Sequence, residues 1–386
     1  MTFQGYRRPD GQVGVRNYIG IIPSVFCAGR VAEMIARQVP NTVYLQHPVG
    51  CSQVGEDLEI TARTLIAMGN HPNLAGVLVV GLGCERFTVA EFVAGLQKSK
   101  KPVEKVIIQD EGDSIHAIEK GIALAKKMVA NASSLRREEI DISDLCVGVK
   151  CGGTDATSGI AANPAVGAMS DLLIDHGGKV FFSEVTELLG AEAILAERAE
   201  NEAVAKDILN TIERMECKLR IASTDPRFQK RSARISTGNF DGGVSTVAEK
   251  ALGNIYKSGS RAINGVVDYC EKPTKNGLFL MDSPGHDGEV VTGMVGGGAQ
   301  VIVFTSGRGT PTGFPFVPVI KVTGNSRTFV KMQENIDYNA GSVIDGEKDL
   351  QTAGSDLFDM LVETANGKMT KAETLGHAEL FCITRK

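Results

Sequence analysis

Short apolar runs alternate with stretches of helical periodicity over the first third of the chain. The runs predicted to be buried strands are 18–25, 42–47, 76–81 and 103–109, and the stretches predicted to be helices are 28–39, 55–69, 88–99 and 113–130. We expect Thr88 to open its helix and Gly69 to end the one before it. Strands that alternate with helices in this way are typical of βαβ units and of a mainly parallel sheet.

A polar, charged stretch at 131–144, predicted to be a linker or a surface crossing between domains, precedes a second alternation of the same kind. There the predicted strands are 145–150 and 179–185, and the segments 277–284, 300–310 and 318–325 are each predicted to be a strand followed by a polar loop. The stretch 158–177 is predicted to be mostly a helix, and 190–215 one long helix or a pair. Residues 220–275 show no clear periodicity. We therefore predict an α/β fold with two Rossmann-like three-layer α/β domains and mainly parallel sheets. The N-terminal domain is placed at 1–134 and a C-terminal catalytic domain at 135–386.

The composition excludes several classes of protein. Charged residues make up 23% of the chain, and the net charge is −5 without a basic tract, so a nucleic-acid backbone has no electrostatic partner. Tryptophan is absent and aromatic residues are only 5%, so aromatic platforms for stacking nucleic-acid bases are not expected. No apolar run approaches the ~18 residues of a membrane span. The polar amino terminus lacks the apolar region of a secretory signal. We expect a cytoplasmic protein without nucleic-acid or membrane partners, whose eight cysteines are reduced.

Three cysteines follow predicted strands, each with a glycine beside it or one residue away. They are Cys51 in HPVGCSQVG, Cys84 in GLGCE and Cys151 in KCGGTD. In open α/β sheets, ligands bind beyond the carboxyl ends of the strands. Three thiolates can hold an iron–sulfur cluster with one open iron, or can bind one divalent metal together with His47. The alternative is that the three pack as small hydrophobic side chains.

The segment KCGGTDATSG at 150–159 combines a strand end, a Gly-Gly turn and the start of a helix. A helix start offers free N–H groups and the positive end of the helix dipole, which attract anions. Thr154, Thr157 and Ser158 add hydroxyl donors. Because the chain has no GxxxxGK[ST] motif, a carboxylate is expected here and not a nucleotide phosphate. The alternative is a tight turn with a helix cap.

Two further strand ends carry charged side chains. Arg308, between two glycines in FTSGRGTPTGFP (304–315), has a planar donor fork that suits a carboxylate. Lys321, in the apolar strand that follows, is either an edge-strand lysine or faces a polar site where burial lowers its pKa. Asp282 ends another predicted strand and can act as an acid, a base or a metal ligand.

Several long motifs now support a family resemblance. They are GYRRPDGQVGVRN (5–17), GCSQVGEDLE (50–59), VVGLGCE (79–85), KCGGTDATSGIAANPAVG (150–167), GGVSTVAEKALG (242–253) and FTSGRGTPTGFPFVPVIKVTGN (304–325). In this order they resemble the signature blocks of the altronate/galactarate dehydratase family, sugar-acid dehydratases that use iron or another divalent metal. The family also includes the large subunit of a sulfo-lyase that eliminates sulfite from sulfolactate. Members often carry a small N-terminal domain of the SAF type. Since this chain begins directly at GYRRPDG, it resembles the large subunit of a split enzyme.

The resemblance implies a metal-dependent hydro-lyase that dehydrates a sugar acid such as altronate or galactarate to a 2-oxo-3-deoxy acid. The implied cofactor is iron as Fe²⁺, or Mn²⁺ in its place, with an iron–sulfur cluster as the alternative. The metal-ligand candidates are Cys51, Cys84, Cys151 and His47. The catalytic candidates are His47, Lys321, Arg308 and Asp282, and the substrate-binding candidates are Gly152, Gly153, Thr154, Asp155, Ser158, Thr310 and Asn325. The expected partners are a small hydroxy-carboxylate substrate, a small SAF-domain subunit and further copies of this chain.

The expected reaction begins with removal of the C2 proton of a 2-hydroxy carboxylate, and a leaving group on C3 then departs. His47 and Lys321 are both candidates for the base, which needs a pKa near the working pH. Elimination of sulfite from sulfolactate is one alternative, and a non-catalytic scaffold subunit is a more distant one. A nucleotide-binding oxidoreductase is a further alternative. It needs the motif GxGxxG after its first strand, and this chain has FCAGRVAEM there, so the sequence does not favour it.

Overall fold

The computed structural model describes residues 1–221 and 237–384. Its strands are β1 Thr2–Arg7, β2 Val13–Gly14, β3 Tyr18–Pro23, β4 Thr42–Tyr44, β5 Leu74–Gly81, β6 Val103–Ile107, β7 Glu138–Asp141, β8 Cys146–Cys151, β9 Lys179–Phe182, β10 Ile263–Val267, β11 Gly277–Met281, β12 Val301–Thr305, β13 Val319–Thr323 and β14 Tyr338–Asn339. Its helices are α1 Gly29–Gln38, α2 Gly55–Gly69, α3 Val89–Leu96, α4 Ile108–Glu111, α5 Ser114–Ala132, α6 Asn163–Asp175, α7 Glu192–Glu197, α8 Glu202–Ile221, α9 Thr237–Asp241, α10 Val247–Ile255, α11 Asp287–Gly296, α12 Ser326–Lys331, α13 Leu350–Ala365 and α14 Lys371–Thr374.

The first α/β unit is a parallel sheet with the strand order β4-β3-β5-β6. β5, with the sequence LAGVLVVG, is buried along its whole length because it lies between β3 and β6 with helices on both faces. α1 and α5 share one apolar cluster on one face of the sheet. α2 and α3 contribute to another cluster on the opposite face, which makes this unit a three-layer sandwich.

The second α/β unit is a larger parallel sheet with the order β10-β11-β9-β8-β12-β13-β14. α6 and α13 pack on one face and α11 on the other. The chain passes from β8 to β9 on one side and later adds β12 on the other side, so the direction of winding reverses between β8 and β12. In doubly wound sheets the crevice beyond the carboxyl ends at such a point is where ligands bind.

A small antiparallel sheet joins the two ends of the first unit. β1 pairs with β2 and with β7, and Phe3 lies opposite Ile140. β7 lies within the stretch 131–144, which the sequence analysis treats as a crossing between domains. That stretch therefore contributes a paired strand and not only a connection.

The two α/β units share an apolar contact region. Leu65 and Phe92 of the first unit belong to the same buried cluster as Phe316 and Val319 of the second. His71 donates from Nε2 to the carbonyl oxygen of Ala299 at 3.0 Å across this contact. Among the helices described, none is long and apolar enough to cross a membrane.

The predicted elements are confirmed wherever the described residues cover them, with ends that differ by a few residues. The helix predicted at 55–69 is α2, and Asn70 is its C-cap. Thr88 caps α3 through a capping box with Glu91. The stretch 190–215 resolves into the pair α7 and α8. Within the unpatterned region 220–275, residues 222–236 lie outside the described residues, and the remainder includes α9, α10 and β10.

Candidate active site

The turn after β8 and the loop after β12 meet in the crevice at the reversal of winding. The amide of Gly152 donates to the carbonyl of Thr305 at 2.8 Å, and the amide of Gly307 donates to the carbonyl of Gly153 at 2.9 Å. Two motifs that are about 150 residues apart in the sequence thus form one surface. We refer to this surface, with the end of β13, as the crevice.

Glycine is required at two positions of the crevice because other groups approach so closely. A Cβ on Gly152 would lie 2.5 Å from the Phe304 ring. A Cβ on Gly307 would lie 2.2 Å from the Asp155 carboxylate. Neither glycine has a positive φ angle, so close approach and not backbone conformation explains them.

The Asp155 carboxylate organises the turn. Its Oδ1 accepts hydrogen bonds from the amides of Thr157 at 3.0 Å and Ser158 at 3.1 Å, and from both of their hydroxyls. Its Oδ2 accepts one from Nδ2 of Asn325 at 3.0 Å, which ties β8 to the end of β13. Three of the predicted substrate-binding residues therefore bind one another here. A π-helical turn at Ser158–Ala162 follows directly, a local distortion that is frequent at functional sites.

Arg308 lies on the exposed side of the crevice. Its backbone amide donates to Gly153 O at 3.4 Å, and its Nη1 donates to Gly238 O at 3.2 Å. Within residues 1–221 and 237–384 its guanidinium makes this one hydrogen bond. The planar fork of an arginine matches the geometry of a carboxylate.

Lys321 braces the loop that carries Arg308. β13 lies between β12 and β14, so the interpretation of Lys321 as an edge-strand lysine is wrong. Its Nζ donates to the carbonyls of Pro311 at 2.7 Å and Thr312 at 3.2 Å, and burial lowers its pKa. The Thr310 hydroxyl lies 2.9 Å from that of Thr312.

Cys151 is buried at the end of β8, among polar side chains. Its Sγ lies 3.5 Å from both the Thr154 hydroxyl and Nδ2 of Asn163. Asn163 also accepts from the Thr305 hydroxyl at 2.6 Å, and Asn239 accepts from the Thr154 amide at 2.9 Å. The sequence analysis missed both asparagines. Asn163 lies in the signature block 150–167, the one signal that could have found it, and Asn239 lies in the unpatterned region.

Asp282 lies apart from the crevice, at the end of β11. Its Oδ2 forms an ion pair of 2.6 Å with Nη2 of Arg214 on α8. β11 is separated from β8 by β9. The structure therefore gives Asp282 a cationic partner and does not bring it to the Gly152 turn.

The other predicted base, His47, lies on the first sheet. It is buried, its Nε2 is 2.8 Å from Pro23 O, and its Nδ1 accepts from the Val49 amide at 3.4 Å. Burial lowers its pKa, which favours the neutral ring. In the tautomer that satisfies both contacts, Nε2 carries the proton, and neither nitrogen has a lone pair free for a proton or a metal.

Cys51 and Cys84 are exposed at the carboxyl edge of the first sheet. Next to them, Glu85 folds back so that its carboxylate accepts from the Ser24 hydroxyl at 2.5 Å and from the Gly83 amide at 2.7 Å. Beside this edge lies an open cavity of about 680 Å³, lined among others by Arg30, Tyr44, Gln46, His47 and Glu379.

Two sequence profiles of one family cover most of the chain. The profile described as the second domain of D-galactarate dehydratase/altronate hydrolase matches residues 5–133. The profile described as the C-terminal region of D-galactarate/altronate dehydratase matches residues 142–386. The chain belongs to the galactarate/altronate dehydratase family. This membership confirms the resemblance drawn from the motifs.

Relatives in this family are lyases of two kinds. The (2R)-sulfolactate sulfo-lyase subunit beta of Chromohalobacter salexigens is 40% identical over 385 residues, which cover 100% of this chain and 97% of the relative. The altronate dehydratase of Bacillus subtilis is 37% identical over 98% of this chain and 77% of its own length. The galactarate dehydratase (L-threo-forming) of Escherichia coli is 38% identical over 95% and 73% respectively. The chain is a member of a family of lyases.

The metal implied by this family has no assembled ligand set among the described residues. Within 1–221 and 237–384, no three His, Cys, Asp or Glu side chains are placed to hold one metal ion. Cys51 and Cys84 are exposed on the first sheet, whereas Cys151 is buried on the second. The two ring nitrogens of His47 are already engaged. The predicted ligands do not fit a shared metal in this arrangement, and no catalytic step is assigned to one here.

Proposed function

We propose that the chain is a lyase that removes the C2 proton and a C3 substituent from a 2-hydroxy carboxylate. The first candidate is dehydration of a sugar acid such as altronate or galactarate to a 2-oxo-3-deoxy acid. Family membership supports the reaction class. The observation that carries the proposal is the meeting of the Arg308 loop with the Gly152–Gly153 turn at the crevice.

In this proposal Arg308 binds the substrate carboxylate in a bidentate manner. When the C2–H bond breaks, negative charge spreads onto that carboxylate, and a positioned cation stabilises it electrostatically. The C3–O bond then breaks, the hydroxyl leaves with a proton as water, and the enol converts to the 2-oxo acid. Lys321 keeps the Arg308 loop in place through the Pro311 and Thr312 carbonyls.

We favour Lys321 over His47 as the base. Lys321 is on the strand next to that of Arg308, whereas His47 is on the other sheet. Its lowered pKa brings the neutral amine closer to the working pH, as a general base requires. As a neutral amine, Lys321 has two N–H groups that can stay on the Pro311 and Thr312 carbonyls, and its lone pair is the site that accepts the C2 proton.

Elimination of sulfite is the second candidate, favoured by 40% identity to the sulfo-lyase subunit over the whole chain. The first step is the same, and the C3–S bond then breaks instead of a C3–O bond. That relative is a beta subunit, which supports a partner chain, and we propose a small SAF-domain subunit. We also propose that the cofactor is Fe²⁺, or Mn²⁺ in its place, with an iron–sulfur cluster as the alternative. The same proposal includes self-association of the chain and a cytoplasmic location.

The test is turnover by anaerobically purified protein, with and without a candidate small subunit. Altronate, galactarate and (2R)-sulfolactate are supplied separately, 2-oxo acid is measured after derivatisation, and sulfite with a thiol-exchange dye. We expect 2-oxo acid from a sugar acid. Sulfite release from sulfolactate alone would assign the second candidate, and no product from any of the three would refute the proposal.

A further inference from the structure

A fully buried carboxylate lies beside the crevice, at the end of the strand predicted at 179–185, and the sequence analysis did not name it as a candidate. Glu184 follows β9, is 0% exposed and forms ion pairs with Lys150 at 3.0 Å and Lys257 at 2.5 Å. Burial alone would raise its pKa, but the two ammonium groups outweigh burial and lower the pKa. The carboxylate is therefore ionised, and it is shared by two lysines that are equally buried.

This arrangement is costly for a merely structural element. Glu184 has φ 67° and ψ 50°, in the left-handed region that residues other than glycine rarely adopt. Buried ion pairs are weak stabilisers, because apolar groups of the same shape often do as well or better. Strained residues that persist in a fold cluster at functional sites.

The cluster holds both backbone polar groups of Cys151, the residue before the Gly152–Gly153 turn. The Cys151 amide donates to Oε2 of Glu184 at 3.3 Å, and Nζ of Lys150 donates to the Cys151 carbonyl at 2.6 Å. Lys150 also contacts Asp287, at the start of α11. The Lys150 ammonium lies 5.2 Å from the centre of the Phe304 ring, the ring on which Gly152 packs.

We propose that Glu184 is a positioning residue for the crevice. Through Lys150 and the backbone of Cys151 it fixes where the Gly152–Gly153 turn lies relative to Arg308, without touching the substrate. This inference rests on the proposed function, because the crevice formed by this turn and the Arg308 loop is assigned there to the substrate. A shift of about 1 Å in such a group can cost about 10²-fold in rate.

Two variants separate positioning from charge balance. Glu184→Gln keeps the side-chain shape but removes the carboxylate that Lys150 and Lys257 share, and Lys150 keeps its contact with Asp287. The double variant Glu184→Gln with Lys257→Met removes one lysine as well and so restores the balance of buried charge. The control is Asp356→Asn, since Asp356 lies on α13, is likewise ion-paired with a lysine, Lys348, and has no contact with Glu184, Lys150 or Cys151 among the described residues.

We expect kcat to fall about 10²-fold in the double variant, with a smaller change in KM. Its thermal unfolding midpoint should lie above that of Glu184→Gln alone, and Asp356→Asn should keep the wild-type kcat. A folded double variant whose kcat is within threefold of wild type would overturn the inference. Wild-type protein inactive on all three substrates would instead refute the proposed function, and the inference with it.

If neither variant at position 184 folds, Asp287→Asn decides. The Asp287 side chain is 44% exposed, so its replacement removes one contact of Lys150 from the solvent side. Lys150 keeps its ion pair with Glu184. We expect kcat to fall about three- to tenfold, because Lys150 is held less firmly against Cys151. An unchanged kcat in Asp287→Asn would overturn the inference.

Discussion

Gly307→Ala is the sharpest test of how the crevice is held together. The added methyl group would lie 2.2 Å from Cγ and Oδ1 of Asp155, where ordinary contact begins at 3.4 Å. The carboxylate cannot turn away without giving up the amides of Thr157 and Ser158 and the amide of Asn325. Either the loop or the turn must therefore move by about 1 Å.

The expected cost follows from those contacts. Overpacking a well-filled site costs about 1–3 kcal/mol. Loss of a capping carboxylate costs about 0.5–2 kcal/mol. We therefore expect Gly307→Ala to lower the free energy of unfolding by about 1.5–5 kcal/mol, and to lower kcat/KM by about 10²-fold through displacement of the Arg308 loop.

Urea unfolding and steady-state kinetics with the active substrate measure the two effects. The control is Gly265→Ala on β10, where the added methyl would lie 3.4 Å from the Phe279 ring, within ordinary contact. If the two variants have the same urea midpoint and the same kcat/KM, the packing of Asp155 on residue 307 does not govern the crevice.

Three other predictions concern single groups. Arg308→Lys should lower kcat/KM by about 10- to 150-fold, because one charge-assisted hydrogen bond is worth about 1.5–3 kcal/mol. The control Arg37→Lys, on the exposed face of α1, should leave kcat/KM unchanged. If the two variants have the same kcat/KM, Arg308 does not bind the substrate carboxylate. Burial lowers the pKa of Lys321 from its ordinary 10.5, so the unfolded chain binds more protons at this residue than the folded chain does. The stability of the wild type relative to Lys321→Met should therefore rise as the pH rises toward 10.5. A difference in urea midpoint between the two proteins that does not change between pH 7 and 10 would contradict this. Anaerobic protein should contain iron and lose turnover to a chelator, with acid-labile sulfide only if a cluster is present; full activity without metal would refute the metal requirement.

The sequence predicted most of the fold because hydrophobic periodicity and capping residues are local signals. The 55–69 stretch gave the bounds of α2, and Thr88 was recognised as a cap. β7 was missed because EEID is polar and short, and it is a strand only because β1 lies beside it. Pairing between distant segments has no local pattern.

The candidate site was predictable where function required glycine next to a strand end, as at Gly152 and Gly307. The site was not predictable where a polar side chain forms its hydrogen bonds with nearby main-chain atoms. Lys321 and His47 both read as chemical groups in the sequence, yet each is bound to main-chain atoms in the structure. Glu184 gave no signal, because an acid after an apolar run resembles the polar end of any strand.

The pairing of Phe3 with Ile140 has a consequence for how the molecule can be rebuilt. The first α/β unit lies between β1 and β7 in the sequence. Because these two strands are paired, the chain enters and exits the unit at adjacent positions, and the unit is an insertion between two neighbouring strands. Antiparallel neighbours of this kind can be linked by a two-residue turn. The whole unit can thus be exchanged for that of a relative by crossovers within β1 and β7, provided the incoming unit presents an apolar surface that matches Phe316 and Val319.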